Sequence, residues 1–383
     1  MAEKTLLYIV RYPLYERFNL QQKFDGQLNA FKELGYHTLY IGFDKKFFYL
    51  IDGDEKTIIG KTHFFIPNYF HTVFYTDLYK MAIKVVKEYG VDVAYYRSAP
   101  AFKKTYTLAK FLKKNGCKFI FEIPTYKSNF KEEDLSFVRT IFRKYSNIWS
   151  NKIKTMPDLY VFMGDGEFST LHSCPAIKIE NGIAPDLVPI RNPKNEEDKI
   201  NILALSSMNY WHGYDRLINS LAEYKGDVDI NIHFVGADDG GCLSQWEDLV
   251  KKHKLENKVI FHGPKYKDEL NEMFDLCDIG VNSMAMFRKS FENTSELKTR
   301  EYIARGLPFV SSVYDVILDG LDKDLYMQIT NDETIPSMEE IVSFALSVKK
   351  DSSAKERLRN CALETMSWTV IYKNVFKHLK GED

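Results

Sequence analysis

A chain of 383 residues is long enough for two domains, each with its own core. With 45% hydrophobic and 27% charged residues and a formal net charge of -1, it has an ordinary soluble composition and lacks the basic excess of a dedicated nucleic-acid binder. The five scattered cysteines (Cys117, Cys174, Cys242, Cys277, Cys361) form no CxxC pair, which suits reduced thiols in a cytoplasm and argues against structural zinc. Met1-Ala2-Glu3-Lys4 runs directly into a strand. It reads as neither a signal peptide nor the start of an apolar run long enough to span a bilayer.

Thr5 to Val10 reads as a buried strand, Leu20 to Leu34 as a helix ending at Gly35, and His37 to Phe43 as the next strand. This β-α-β start opens a doubly wound sheet. The loop from Arg11 and Tyr12 to Arg17 then falls at the carboxyl end of the first strand, where such sheets bind ligands, and it contains no GxGxxG. Asp52-Gly53-Asp54-Glu55 lies between two aromatic or β-branched runs; a hairpin turn explains it better than a metal-binding Asp-x-Asp. Leu78 to Tyr89 is helical and Val91 to Tyr96 a strand that ends on Arg97. Phe102 to Lys114 is a helix with a basic face, and the strand Cys117 to Ile123 carries Glu122, Pro124, Thr125 and Tyr126 near its end. Glu132 to Lys154 sets aromatic residues among basic ones; it is either a helix packed by its aromatics or a contact with an anionic membrane surface. Strands follow at Leu159 to Met163 and Ala176 to Ile179.

Asn181-Gly182 and the polar, proline-bearing Pro185 to Lys199 mark the domain boundary. The expected domains are residues 1-187, 188-366 and a terminal helix over 367-383. The second half alternates again: strands at Ile200 to Leu205, Ile230 to Val235, Val259 to His262 and Asp278 to Asn282; helices at Tyr214 to Tyr224, Gln245 to Lys254 and Asp268 to Leu276. The stretch Ser295 to Val310 organises this half. Ser295 is expected to cap a helix that Gly306 ends, and Lys298 puts a full positive charge in the first turn, where a helix start already attracts anions. Glu301 lies one turn on, within reach of a sugar hydroxyl beside a bound phosphate. Terminal helices follow at Met338 to Val348, Lys355 to Glu364 and Trp368 to Leu379.

Ile179-Glu180-Asn181-Gly182, Trp211-His212-Gly213-Tyr214-Asp215, Phe234-Val235-Gly236, Val259-Ile260-Phe261-His262-Gly263, Cys277-Asp278-Ile279-Gly280-Val281 and Glu301-Tyr302-Ile303-Ala304-Arg305-Gly306-Leu307-Pro308 are weak one by one and specific in this order. Together they resemble the GT-B glycosyltransferases of family 4, the group 1 glycosyl transferases, from Ile177 to about Phe376 and more faintly from Thr5. The resemblance implies two doubly wound, Rossmann-like α/β domains facing a cleft, with the last helix crossing back to the first domain. It implies a cytoplasmic, retaining hexosyltransferase in surface polysaccharide or glycolipid synthesis, working at the inner face of the cell membrane. Its partners would be a nucleotide-diphosphate sugar donor and a glycan or lipid-linked acceptor, with residues 132-154 touching the membrane. No metal or other cofactor is expected, because helix ends and side chains neutralise the leaving group.

Position by position, Glu301 would hold the donor ribose, and Ser295, Glu296 and Leu297 belong to the loop holding the distal phosphate or the sugar. Gly263, Lys265 and Tyr266, with Leu270 beyond, match the segment that holds the base; Gly213 and Gly236 match glycines of the nucleotide domain. Arg11, Tyr12, Arg97 and Tyr126 are the acceptor-side candidates. The usual arginine and lysine of the Ser207 to His212 loop are replaced by Ser207 or Met208 and by His212, the usual first glutamate by Asn293, and the usual cleft histidine by Glu122. Lys298 is then the candidate for the missing charge, His212 for a phosphate ligand or hydrogen-bond donor, and Glu122 for contact with the transferred sugar. These losses also admit a non-catalytic GT-B subunit serving a partner transferase; a GT-B epimerase fits the Ser295 to Pro308 block less well.

Overall fold

The computed structural model describes residues 3–12, 14, 20–62, 77–126, 137–164, 166–194 and 199–381, with backbone alone at 21–22 and 137–139. Loop positions 13 and 15–17, the start of the basic segment at 132–136 and linker positions 195–198 lie outside the described residues. The chain forms two compact units, Met1–Glu180 with Trp368–Asp383, and Asn181–Ser367.

Among the described residues of the first unit, nine strands are β1 (Lys4–Ile9), β2 (Tyr36–Phe43), β3 (Phe47–Asp52), β4 (Glu55–Lys61), β5 (Val93–Arg97), β6 (Lys118–Tyr126), β7 (Leu159–Gly164), β8 (Thr170–Leu171) and β9 (Cys174–Lys178). They lie in the order β4-β3-β2-β1-β5-β6-β7-β9-β8. The six strands from β2 through β9 in that order are mutually parallel, and β3, β4 and β8 add antiparallel edges. The Asp52 to Glu55 stretch is a hairpin turn, with Asp52 paired to Glu55 across it. Strand residues alternate between two buried faces, as a sheet covered on both sides requires. Leu7, Ile9, Leu39 and Ile41 pack against the helices Leu78–Tyr89 and Lys103–Lys114 through Leu78, Ala82, Leu108 and Leu112. On the other face, Tyr8 and Tyr95 meet Phe31 of the helix Gln21–Glu33 and Tyr372 of the helix Trp368–Lys380.

The second unit holds β10 (Lys199–Leu205), β11 (Asp229–Val235), β12 (Val259–Phe261), β13 (Ile279–Val281), β14 (Phe309–Ser311) and β15 (Tyr326–Gln328). All six are parallel, in the order β12-β11-β10-β13-β14-β15. Both units are thus Rossmann-like α/β sheets. The helices Tyr214–Glu223, Leu243–His253 and Met338–Lys350 cover one face, and Lys267–Leu276, Leu297–Arg305 and Ala354–Thr365 the other. Asn181 to Val188 belongs to this unit, so the change of unit falls before the expected position 187. The Asn181 N–H donates to Ser295 Oγ (2.7 Å) and the Ile183 N–H to Met366 O (3.0 Å). Arg359 adds bonds to the carbonyls of Pro185 (2.8 Å) and Val188 (3.1 Å).

Candidate functional site

In the second sheet the chain leaves β10 in one direction to β11 and β12, and in the other to β13, β14 and β15. Ligands of open α/β sheets bind at the carboxyl ends of strands flanking such a switch. Here the loops after β10 and β13 meet beside the start of the helix Leu297–Arg305. The Met284 N–H donates to His212 O (2.8 Å). Gly213, at φ +64, lies so close that a Cβ on it would stand 2.5 Å from Ala285 Cβ. A Cβ on Gly236 would stand 1.8 Å from Ser206 O, so only glycine lets the turn after β11 close on the loop after β10. The candidate glycines thus act first by bringing backbone segments together.

The helix begins at Leu297, with Glu296 at its N-cap and no side-chain cap bond. Ser295 is therefore not the cap expected from the sequence: its hydroxyl accepts from the Asn181 N–H instead. Seven of the nine helix residues are buried, several of them polar, so each needs a partner. Thr299 Oγ1 accepts from Asn282 Nδ2 (2.7 Å). Arg300 donates to Asn181 O (2.8 Å) and forms a two-pronged pair with Asp315. Tyr302 Oη accepts from the Leu205 N–H (3.2 Å), and its ring lies over Gly280, where a Cβ would come within 2.9 Å. The helix start is thereby fixed against the ends of β10 and β13.

Lys298 points inward at that start. Its Nζ is 3.3 Å from Tyr214 Oη, 3.3 Å from His212 Nδ1 and 3.8 Å from Glu296 Oε1. His212 Nδ1 also lies 2.6 Å from Ser283 Oγ, and Ser283 Oγ is bonded to Glu296 Oε1. Burial first, then the charges of Lys298 and Lys289, pushes the His212 imidazole down to about 2. His212 is therefore an uncharged group at neutral pH and adds no positive charge to the loop. The structure brings together Lys298, His212 and Glu296 from the sequence candidates, and adds Ser283 and Tyr214. Ser283 had one signal: Asn282-Ser283 is a polar pair directly after a buried apolar strand.

Glu301, one turn on, accepts from Arg305 Nε (3.1 Å), and Arg305 donates to Asn271 (2.7 Å). The Gly263 carbonyl accepts from the Gly236 N–H (3.0 Å), which places the turns after β11 and β12 side by side. Lys265 pairs with Glu269 (2.8 Å), Tyr266 is exposed, and Leu270 is buried in the core among Val235, Met273 and Phe274. Leu270 is thus a packing residue in the fold, as the alternation of its helix dictates.

In the first unit the corresponding switch lies between β1 and β5. Arg11 is buried after β1, donating to Pro100 O (3.3 Å) with its guanidinium 5.5 Å from the Phe102 ring. Tyr12 packs on Phe24 (6.0 Å), and Tyr126 on Phe168 (5.0 Å) and Phe162 (5.8 Å). Arg97, ending β5, forms an ion pair with Glu122 on the neighbouring strand. The Glu122 side chain, the candidate for contact with the transferred sugar, is fully buried beside Arg97. Lys23 lies in the same polar interior, with burial pulling its amine down to about 7.

Residues 189–322 match the family model described as Glycosyl transferases group 1, so the second unit carries a domain of that kind. None of the curated proteins matches the chain by sequence. In structure the chain is similar to a glycosyltransferase from Rickettsia africae, at 16% identity and TM-score 0.64, over 100% of this chain and 99% of that one. It is similar to HepE of Anabaena in complex with UDP (13%, TM-score 0.59, over 99% of this chain and 100% of that one). It is also similar to WaaG, a glycosyltransferase involved in lipopolysaccharide biosynthesis (14%, TM-score 0.56, over 98% and 100%). The fold is that of the GT-B glycosyltransferases.

Proposed function

We propose that the chain is a retaining glycosyltransferase of family 4 that moves a hexose from a nucleotide-diphosphate sugar to a glycan or lipid-linked acceptor. The observation that carries this reading is the Lys298 ammonium, buried at an uncapped helix start on the switch point of the sheet. Neutralising the leaving diphosphate is the main electrostatic task of glycosyl transfer, and a helix N-terminus with a lysine in its first turn supplies that charge without a metal. Glu301 would take the ribose hydroxyls, and the turn of Gly263, Lys265 and Tyr266 the base. In the transfer, the bond from the sugar's anomeric carbon to the leaving phosphate breaks. The acceptor oxygen bonds to the same face, and its proton goes to the departing phosphate oxygen.

Arg11, Tyr12, Arg97 and Tyr126 are the acceptor-side groups of the first unit in this reading, and Glu122 holds Arg97 in place. The helices Lys103–Lys114 and Phe137–Ile153 carry five and four basic residues and no acidic one. Ile141, Tyr145 and Ile148 stand exposed on the second of them. A helix of that character suits the inner face of an anionic membrane, where a lipid-linked acceptor for surface polysaccharide or glycolipid would lie.

A second reading, a non-catalytic GT-B subunit that serves a partner transferase, is favoured by the uncharged His212 and by the Glu296 carboxylate already facing Lys298. Calorimetry and thermal shift against UDP, GDP, ADP and CMP in the presence of a chelator separate the two. UDP is the first to try, since HepE holds it. Binding raises the stability of the folded chain. One diphosphate stabilising the wild type, with Glu301→Ala responding much less, supports the enzyme. A flat response across the panel would leave the subunit reading.

A further inference from the structure

Three groups from the loops after β10 and β13 form a chain at the switch point: His212 Nδ1, Ser283 Oγ and the Glu296 carboxylate. The Ser283 hydroxyl has one proton to give, and an ionised carboxylate can only accept. The contact with Glu296 therefore takes that proton, and the backbone N–H of Ser283 leans on the same carboxylate (3.4 Å). What is left on Ser283 Oγ is a lone pair, 2.6 Å from His212 Nδ1, so the histidine must be the donor there. The competing arrangement has Lys298 donating to Nδ1, but that separation is 3.3 Å and Lys298 has Tyr214 Oη at the same distance as an alternative acceptor. The shorter, charge-assisted chain sets the tautomer.

We propose that Ser283 and Glu296 are positioning residues that hold His212 in its Nδ1–H form. His212 then presents a bare Nε2 that accepts a hydrogen bond from a hydroxyl of the bound nucleotide sugar. Nε2 makes no bond to any described residue, and His212 is half-buried rather than buried. A bare Nε2 repels a phosphate oxygen, lone pair against lone pair. Anion binding at the switch point therefore falls to Lys298 and the helix start, and His212 reads a hydroxyl instead. This reverses the donor role expected of His212 from the sequence. The weak basicity that burial and Lys298 impose on the ring suits an acceptor that keeps its partner's proton in place rather than removing it.

Only the identity of the hydroxyl rests on the donor-site reading; the tautomer belongs to the ligand-free protein and is measured there. Long-range proton–nitrogen correlation spectra of imidazole-labelled chain, assigned by the signals lost in His212→Asn, report which ring nitrogen is protonated. The expected wild-type pattern is a protonated Nδ1 and an unprotonated Nε2, unchanged across neutral pH. The reverse pattern, or a ring that charges between pH 6 and 7, overturns the assignment without touching the glycosyltransferase reading. In Ser283→Ala, Lys298 becomes the neighbour of Nδ1. In Glu296→Gln, the amide can donate to Ser283, which then donates to Nδ1. Both variants should switch the ring to Nε2–H, and a wild-type pattern in both would also overturn it. With a binding nucleotide sugar, both should lose affinity on the order of tenfold, one hydrogen bond's worth. Ser283→Ala, which leaves Glu296 and Lys298 in place, should hold the bare diphosphate nucleotide as before; equal loss for both ligands in that variant would place His212 on the phosphates.

Discussion

Arg300 and Asp315 form a buried, two-pronged ion pair, with Arg300 Nη2 2.9 Å from Asp315 Oδ1 and Nη1 bonded to Oδ2. The third donor of the same guanidinium, Nε, reaches Asn181 O (2.8 Å). One side chain thus fixes the helix bearing Lys298 and Glu301 to the loop after β14 and to the entry of the unit. Removing one partner leaves the other charge buried and uncompensated. Arg300→Ala or Asp315→Ala should each cost about 3–5 kcal/mol of second-unit stability, read from urea unfolding. The double variant Arg300→Met with Asp315→Leu should cost less than either. A single variant with a wild-type midpoint would show that the pair does not hold the helix.

Lys298 is buried at the switch point, and Tyr214, Glu296 and His212 fix its direction. Lys298→Met keeps the length and apolar stem and removes the charge. In the proposed mechanism it should weaken diphosphate binding by about tenfold to a hundredfold and lower turnover at least as much, since the charge counts most as the phosphate departs. Calorimetry and steady-state kinetics on the same variant measure both. Unchanged diphosphate affinity would remove Lys298 from the site.

Glu122 offers a test that separates burial from chemistry. Its carboxylate is fully buried against Arg97, and Lys23 lies in the same interior. Glu122→Gln leaves those cations without a counter-charge. The first unit should lose about 3–5 kcal/mol, while nucleotide binding stays as in the wild type. A variant that unfolds like the wild type yet loses turnover would restore Glu122 to contact with the sugar.

What could be read in the sequence follows the reach of each interaction. The alternation of strands and helices is local, so both doubly wound sheets were legible. The two-residue β8 and three-residue β15 carry too few residues to show a period. Ser295 looks like a cap because caps are judged from neighbours, yet its hydroxyl is claimed by Asn181, 114 positions away. Glu122 and Leu270 stand where the resemblance puts site residues, and only packing shows that one lies under Arg97 and the other in the core. Ser283 becomes informative only when the loops after β10 and β13 meet.

The second unit should lose stability in mild acid. His233 is held between Asn201 Oδ1 (3.1 Å) and His262 Nε2 (3.0 Å), and burial pushes its imidazole from the ordinary 6.5 down to about 4. Between those values the unfolded chain binds the proton and the folded one does not, so stability falls as pH falls from 6.5 towards 4. His212 acts with the same sign down to about 2. The unfolding midpoint of the wild type should drop across this window, and that of His233→Gln should drop less. Parallel curves for the two would mean that His233 charges freely in the folded unit.

On the helix Phe137–Ile153, Trp149 and Ile153 pack inward, Trp149 against Tyr106 (5.8 Å), while Ile141, Tyr145 and Ile148 are 52%, 43% and 53% exposed. These three recur at helical spacing on one face, with Lys144 and Lys152 beside them, so the surface that would meet a membrane is this stripe rather than Trp149. Among the described residues no helix is long and apolar enough to cross a bilayer, so any membrane contact by a described helix would lie along the surface. The wild type should co-sediment with vesicles containing phosphatidylglycerol and be released as salt rises, because exposed charge pairs are screened. Ile141→Glu combined with Ile148→Glu should abolish co-sedimentation and leave nucleotide binding intact. Wild-type chain that stays in the supernatant at low salt would rule out this contact. Release by salt with the double variant still bound would leave the lysines of the two helices as the attachment and the apolar stripe without a part in it.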